Sequence, residues 1–229
     1  MRKNKSKDSP NSGKELVPAN GESKALVRSS GRPASRLAQE LENKLLALDR
    51  RLELLFERPK GRTITFLGTQ PGDDSSRVVF EFARLSADRL NRRVLLLMCQ
   101  PVIHADTNGA VPWSAEWDTI TSNPSAAEES VHQYGGTNMW YAQVAANIGE
   151  LPAVVQDTRF RALMAHFRSR FDMILLDSPT LAESSSSASL SAMADGVVLV
   201  VEAGKVREQA IKNQIREIER DKGTILGVV

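Results

Sequence analysis

Thr63-Ile64-Thr65-Phe66-Leu67-Gly68-Thr69-Gln70-Pro71-Gly72-Asp73-Asp74-Ser75-Ser76-Arg77 is the stretch that decides the fold. The apolar and β-branched run Thr63 to Leu67 predicts a strand, Ser75 to Leu90 predicts a helix, and the residues between make a strand-to-helix turn. Phosphate-binding loops occur at such turns. Backbone N–H groups and a helix N-terminus surround the phosphates there, a lysine neutralises the outer ones, and a Ser or Thr binds Mg²⁺. Set against G-x-x-x-x-G-K-[ST], Gly68 opens the loop, Asp74 stands for the second glycine, Ser75 for the lysine, and Ser76 supplies the hydroxyl.

Both replacements fall on electrostatic essentials. A phosphate oxygen about 4 Å from a carboxylate is repelled by roughly 4 kcal/mol at an effective dielectric of 20, and a missing lysine removes an attraction of similar size. Asp73 and Asp74 suit instead a helix N-terminus without its anion, where acids complement the dipole and cap N–H groups by a few tenths to about 1 kcal/mol. Arg77, in the first helical turn, is expected to face solvent.

The same alternation continues on both sides. Arg93 to Met98, Met139 to Val144, Phe171 to Leu176, Gly196 to Val201 and Ile225 to Val229 read as strands; Asp157 to Arg170 and Arg207 to Asp221 read as helices. Near-continuous apolar strands separated by helices predict an α/β fold, a mostly parallel sheet with helices on both faces. Ligands of such sheets sit beyond the carboxyl ends of the strands, so the loops after Leu67, Met98 and Leu176 are where chemistry is expected. Upstream, Leu37, Leu41, Leu45, Leu48, Leu52 and Leu55 recur at helical spacing, predicting a helix of about five turns ended by Pro59 and Gly61. Its stripe can dock on the chain's own domain or pair with another chain, and docking is the expected use. The segment Ile103 to Thr137 is the least legible; a short helix is expected around 125–133. Trp113 and Trp117 within the segment either cover the sheet or form a partner patch.

Charge divides the chain. The 229 residues carry 30 Lys and Arg against 28 Asp and Glu, a formal +2. Residues 1–36 hold nine basic and three acidic groups, or +6, leaving 21 basic and 25 acidic groups in the remainder, or −4. Residues 1–36 are polar and poor in large apolar groups, so they are expected to form a disordered basic tail, and 37–229 a single domain. The tail is read first as a solvated segment, and otherwise as a tether to anionic lipid or to a nucleic-acid backbone. No run of about 18 apolar residues and no signal-peptide pattern occurs, so a cytoplasmic protein is expected. Cys99 permits no intrachain disulfide and reads as a packed strand-end residue. His104, His132 and His166 have no metal-ligand spacing. Ser184 to Ser187 reads as a polar loop, since no nucleophile-elbow pattern surrounds it.

With these residues in view the chain, from about Ser35 to Val229, resembles the bacterial tyrosine autokinases (BY-kinases) of capsule and exopolysaccharide synthesis, a branch of the MinD/ParA-like P-loop ATPases. The resemblance rests on the Leu-rich helix before the first strand and on Gln70-Pro71-Gly72-Asp73-Asp74-Ser75-Ser76, where the family has a Pro-Gly-Glu-Gly-Lys-Ser-like run. Further marks are Arg93 to Leu97, Phe171 to Pro179 like the family's Walker B strand, Ala194 to Val201, and Gly223 to Val229. It implies a P-loop NTPase-like fold with a nucleotide site at Gly68, Pro71, Gly72, Asp74, Ser75 and Ser76. Asp177 stands at the Walker B position.

The departures fall on catalytic positions. Met98-Cys99-Gln100 stands where the family has an Asp-x-Asp motif, and the tyrosine-rich tail has no counterpart beside the mid-chain Tyr134 and Tyr141. The leading expectation is therefore a pseudoenzyme without a cofactor, acting by protein contacts in exopolysaccharide synthesis or export. By resemblance its partner is a membrane-anchored chain-length regulator or a kinase subunit, in a homo- or hetero-oligomer. The Leu37–Leu55 helix or the old nucleotide face would reach that partner, with residues 1–36 on the inner leaflet. The alternative is an active ATP-binding tyrosine kinase or ATPase in which Ser76 and Asp177 serve Mg²⁺ and Asp177 the reaction. A third reading is a MinD/ParA-like positioning protein with its tail on DNA; nucleic acid is the less expected partner.

Overall fold

The computed structural model describes residues 36–56, 60–99, 131–144 and 148–229. Helix α1 (Arg36–Leu55) leads into strand β1 (Arg62–Gly68), helix α2 (Ser75–Asp88) and strand β2 (Val94–Met98). A hairpin of β3 (His132–Gln133) and β4 (Met139–Gln143) follows, then α3 (Leu151–Gln156), α4 (Thr158–Arg170), β5 (Met173–Ser178), α5 (Ser186–Met193), β6 (Gly196–Val200), α6 (Glu208–Arg220) and β7 (Ile225–Val228). The seven strands form one sheet in the order β3-β4-β2-β5-β1-β6-β7. All pairings are parallel except β3 with β4.

Alternation along each strand sends successive side chains to opposite faces, and both faces are covered. Ile64, Phe66, Met173, Leu175 and Val198 pack with Val79 and Phe82 of α2 and with Leu45, Leu48 and Leu52 of α1. On the other face Ile174 and Leu176 meet Phe160, Leu163 and Phe167 of α4 and Leu190 of α5, while Val197 and Leu199 meet Ile218 of α6. The strands therefore read as unbroken apolar runs.

The leucine stripe docks on its own domain. Leu45, Leu48 and Leu52 are 1%, 6% and 0% exposed, each burial contributing about 1.5–3 kcal/mol, while Leu55 at the end of the stripe is 52% exposed. An ionic clamp holds the same helix. Arg92 donates to both Asp49 carboxylate oxygens and, at 2.9 Å, to Glu53; Arg62 donates to Glu53 at 2.5 and 3.3 Å. Docking on the chain's own domain, the expected use of the stripe, is thus what its middle shows.

Two further expectations change. His132 and Gln133 form a strand against Tyr141 and Trp140, not part of a helix, because residues on a sheet edge satisfy their backbone by pairing with β4. The Ser184–Ser187 run is not a polar loop throughout: from Ser186 it is helical, with Ser186 and Ser187 buried. Ser187 Oγ donates to Pro179 O at 2.7 Å, Ser191 Oγ, one turn on, donates to Ser187 O at 2.7 Å, and Ser184 Oγ accepts from Ser186 N–H at 3.2 Å, which lets these small polar side chains sit inside. Trp113, Trp117, His104, Gln100 and the tail through Ser35 lie outside the described residues.

Candidate functional site

Strand β1 lies between β5 and β6, so the loop that leaves it emerges at the middle of the sheet's carboxyl edge. Gly68 ends the strand. Gly72 turns the chain with φ +77°, a conformation that L side chains rarely adopt, and Asp73 N–H closes the turn on Gln70 O at 3.2 Å. This turn aims the Asp73 carboxylate back into its own loop. Its Oδ2 accepts from Thr69 N–H at 2.8 Å and Gln70 N–H at 3.2 Å, and its Oδ1 accepts from Ser75 N–H, the first residue of α2, at 3.1 Å.

Those are the backbone donors of a strand-to-helix anion cradle, converging on a carboxylate of the chain itself. Hydrogen bonds to a charged group contribute about 1.5–3 kcal/mol each, before discounting for the partial exposure of Asp73. Gly68 is required by the same geometry, since a Cβ there would overlap the Asp73 carboxylate. Asp74 caps nothing: it is the exposed N-cap residue of α2 and its side chain makes no cap hydrogen bond. The expectation that both acids cap the helix holds for Asp73 alone.

Residues that follow β6, the neighbour of β1 in the sheet, brace the loop. Gln214 Nε2 of α6 donates to Thr69 O at 2.9 Å, and Gln70 Nε2 donates to Lys205 O at 3.1 Å in the turn after β6. Lys205 pairs with Glu202 at 2.7 Å; that hydrogen bond, then the Glu202 charge and the more distant Asp74, hold its ammonium pKa above the ordinary lysine value. Thr69 Oγ1 and Gln214 Oε1 are buried beside this brace without a hydrogen-bond partner among the described residues. A cavity of about 50 Å³ remains between Pro71, Gly72, Asp73, Glu202 and Lys205, room for a few waters at most.

The other expected site residues fall around this loop. Pro71 is exposed on its lip, Ser75 is buried at 4% exposure, and Ser76 is half-buried in the first turn of α2. Counted strictly from Gly68, the phosphate-loop pattern lands one residue earlier than the Pro-Gly alignment places it, with Asp73 for the second glycine, Asp74 for the lysine and Ser75 for the hydroxyl. Neither register puts a cation at the lysine position. Arg77 is exposed, as expected.

Asp177 is 4% exposed near the end of β5, level with Phe66 of β1 and Met98 of β2. Its backbone carbonyl accepts from Cys99 N–H at 2.9 Å. Cys99 is buried, and desolvation followed by the Asp177 charge pushes its thiol pKa well above the usual value, which keeps it protonated and unreactive at neutral pH. Sequence reasoning missed Gln214, Gln70 and Lys205. The signal for Gln214 was its place beside Ile211, Ile215 and Ile218 on the apolar face of α6.

No protein-family model matches the chain. The tyrosine-protein kinase CpsD of Streptococcus agalactiae is 25% identical over 77 residues, 34% of this chain, and the match spans about a third (34%) of that relative's length. The VpsO kinase domain superposes with a TM-score of 0.67 at 18% identity, over 85% of this chain and 98% of its own. A ParA family ATPase from Chlorobium tepidum TLS superposes with a TM-score of 0.56 at 14% identity, over 73% of this chain and 72% of its own. The fold is thus that of bacterial tyrosine kinase domains and MinD/ParA-type P-loop ATPases.

Proposed function

We propose that this chain is a catalytically degenerate relative of the bacterial tyrosine autokinases, acting through protein contacts in exopolysaccharide or capsule synthesis or export. The observation that carries the reading is the Asp73 carboxylate on the N–H groups of Thr69, Gln70 and Ser75. An incoming phosphate must displace that carboxylate, stand beside Asp74, and do so without the lysine that neutralises it in a working loop. Phosphoryl transfer depends on positioning and on neutralising charge with Mg²⁺ and cations, and Met98-Cys99 at the end of β2 brings no carboxylate there. These residues do not fit a magnesium nucleotide.

The partner class that the resemblance suggests is a membrane-anchored chain-length regulator or a kinase subunit of the same system. Burial of Leu45, Leu48 and Leu52 favours the carboxyl edge of the sheet over the leucine stripe as the surface that meets it. The +6 segment 1–36 would add attraction to an anionic leaflet. Among the described residues no helix is long and apolar enough to cross a membrane. One observation favours the second reading, an ATP-binding kinase or ATPase with an atypical site: Asp177 is retained, buried, at the Walker B-like strand end.

Calorimetric titration with Mg-ATP separates the two. Degeneracy predicts no saturable heat, whereas saturable micromolar binding that disappears in Asp177→Ala would overturn it.

A further inference from the structure

We infer that the Asp73 carboxylate is a permanent internal substitute for a phosphate, holding the loop after β1 and the turn after β6 in the anion-bound shape whether or not a ligand is present. The inference rests on the degenerate reading above and adds to it a regulatory consequence. A protein that binds this edge of the sheet meets one fixed surface, with no loaded and unloaded forms to distinguish.

Three observations join in it. The carboxylate engages donors from both walls of the cradle, Thr69 and Gln70 on the strand side and Ser75 at the start of α2, so it ties strand to helix as a bound anion would. Gly68 is pressed against that carboxylate, which fixes where it can sit. The loop is then fastened outward, by Gln214 to Thr69 O and by Gln70 to Lys205 O, so the state of the cradle is coupled to α6 and to residues 202–206. Lys205, paired with Glu202, lines the small cavity beside the loop. In a loop that cycles with its ligand these contacts would form and break with binding; here the chain carries both halves of them covalently.

Hydrogen exchange of the full-length chain tests this, with inorganic phosphate and Mg-ATP as probes and Asp73→Ala and Asp73→Asn as variants. In the unmodified protein, exchange at Thr69, Gln70 and Ser75 is expected to be slow and unchanged by either probe. Asp73→Ala should speed exchange at those amides by on the order of tenfold or more and also loosen 202–206. Asp73→Asn, which keeps one acceptor oxygen but no charge, should fall between. Millimolar phosphate should restore protection in Asp73→Ala. If exchange in Asp73→Ala stays slow, or quickens at 69–75 while 202–206 is unmoved, the internal-substitute inference fails even though the protein still ignores nucleotide. If the unmodified protein itself gains protection with Mg-ATP, the degenerate reading fails instead.

Discussion

The two ends of β1 use carboxylates in opposite ways. At its start, Asp49 and Glu53 of α1 meet the guanidinium groups of Arg62 and Arg92, side chain against side chain, and the result is a clamp that holds a helix. At its finish, Asp73 meets backbone N–H groups, the donors a phosphate would use, and the result is a closed cradle. The first arrangement could be exchanged for apolar packing without changing what the protein binds. On the proposed reading the second cannot, because its carboxylate takes the backbone donors that a phosphate would use. An acid in a strand-to-helix loop therefore has meaning only once its donors are known.

The largest expected effect lies at the clamp end. Leu52→Ala removes a fully buried side chain from beneath α1 and should cost about 2–5 kcal/mol in chemical denaturation, or a fall in Tm of roughly 5–15 °C. A neutral result would mean that the stripe does not dock as described. Asp49→Ala leaves Arg92 with Glu53 alone and should cost about 2–3 kcal/mol, below the range for a fully buried pair because Arg92 keeps one partner and some solvent.

Acid should act at this end too. The Arg62 hydrogen bond, aided by the charges of Arg62 and Arg92 and opposed by burial, holds the Glu53 carboxyl below its usual 4.5. A lowered folded pKa gives stabilisation that is complete above about pH 4.5 and is lost as pH falls through the folded value. Glu53→Gln should therefore flatten part of the loss of stability below pH 4.5, and an unchanged acid limb would remove Glu53 from the account.

The smallest expected effect sharpens the cradle end. Asp74→Ala should change stability by no more than about 0.5 kcal/mol, because Asp74 caps no N–H group, and a large loss would reassign the capping role.

Most of the fold was legible because buried parallel strands leave unbroken apolar runs and the long helices carry regular stripes. What was not legible depended on tertiary context. Leu151 to Gln156 is a six-residue helix with Pro152 at its start, too short for periodicity to separate from a buried strand. Serine is a modest helix former, yet α5 folds through its serines, with carbonyl acceptors taking up the Ser187 and Ser191 hydroxyls. In the candidate site the sequence identified both acids and the missing lysine. It could not tell Asp73 from Asp74, since that choice follows from the positive φ of Gly72, which turns one carboxylate inward and leaves the other outside. The braces from Gln214 and Lys205 come from 145 and 135 residues away and become neighbours only through the strand order.

The central claim, that the chain's own carboxylate closes the cradle to phosphate, is tested most directly by calorimetric titration of Mg-ATP into the unmodified protein beside Asp73→Ala/Asp74→Gly/Ser75→Lys. The account predicts no saturable binding to the unmodified protein and measurable binding once the carboxylates are removed and a lysine is supplied. Saturable micromolar binding to the unmodified protein would contradict it.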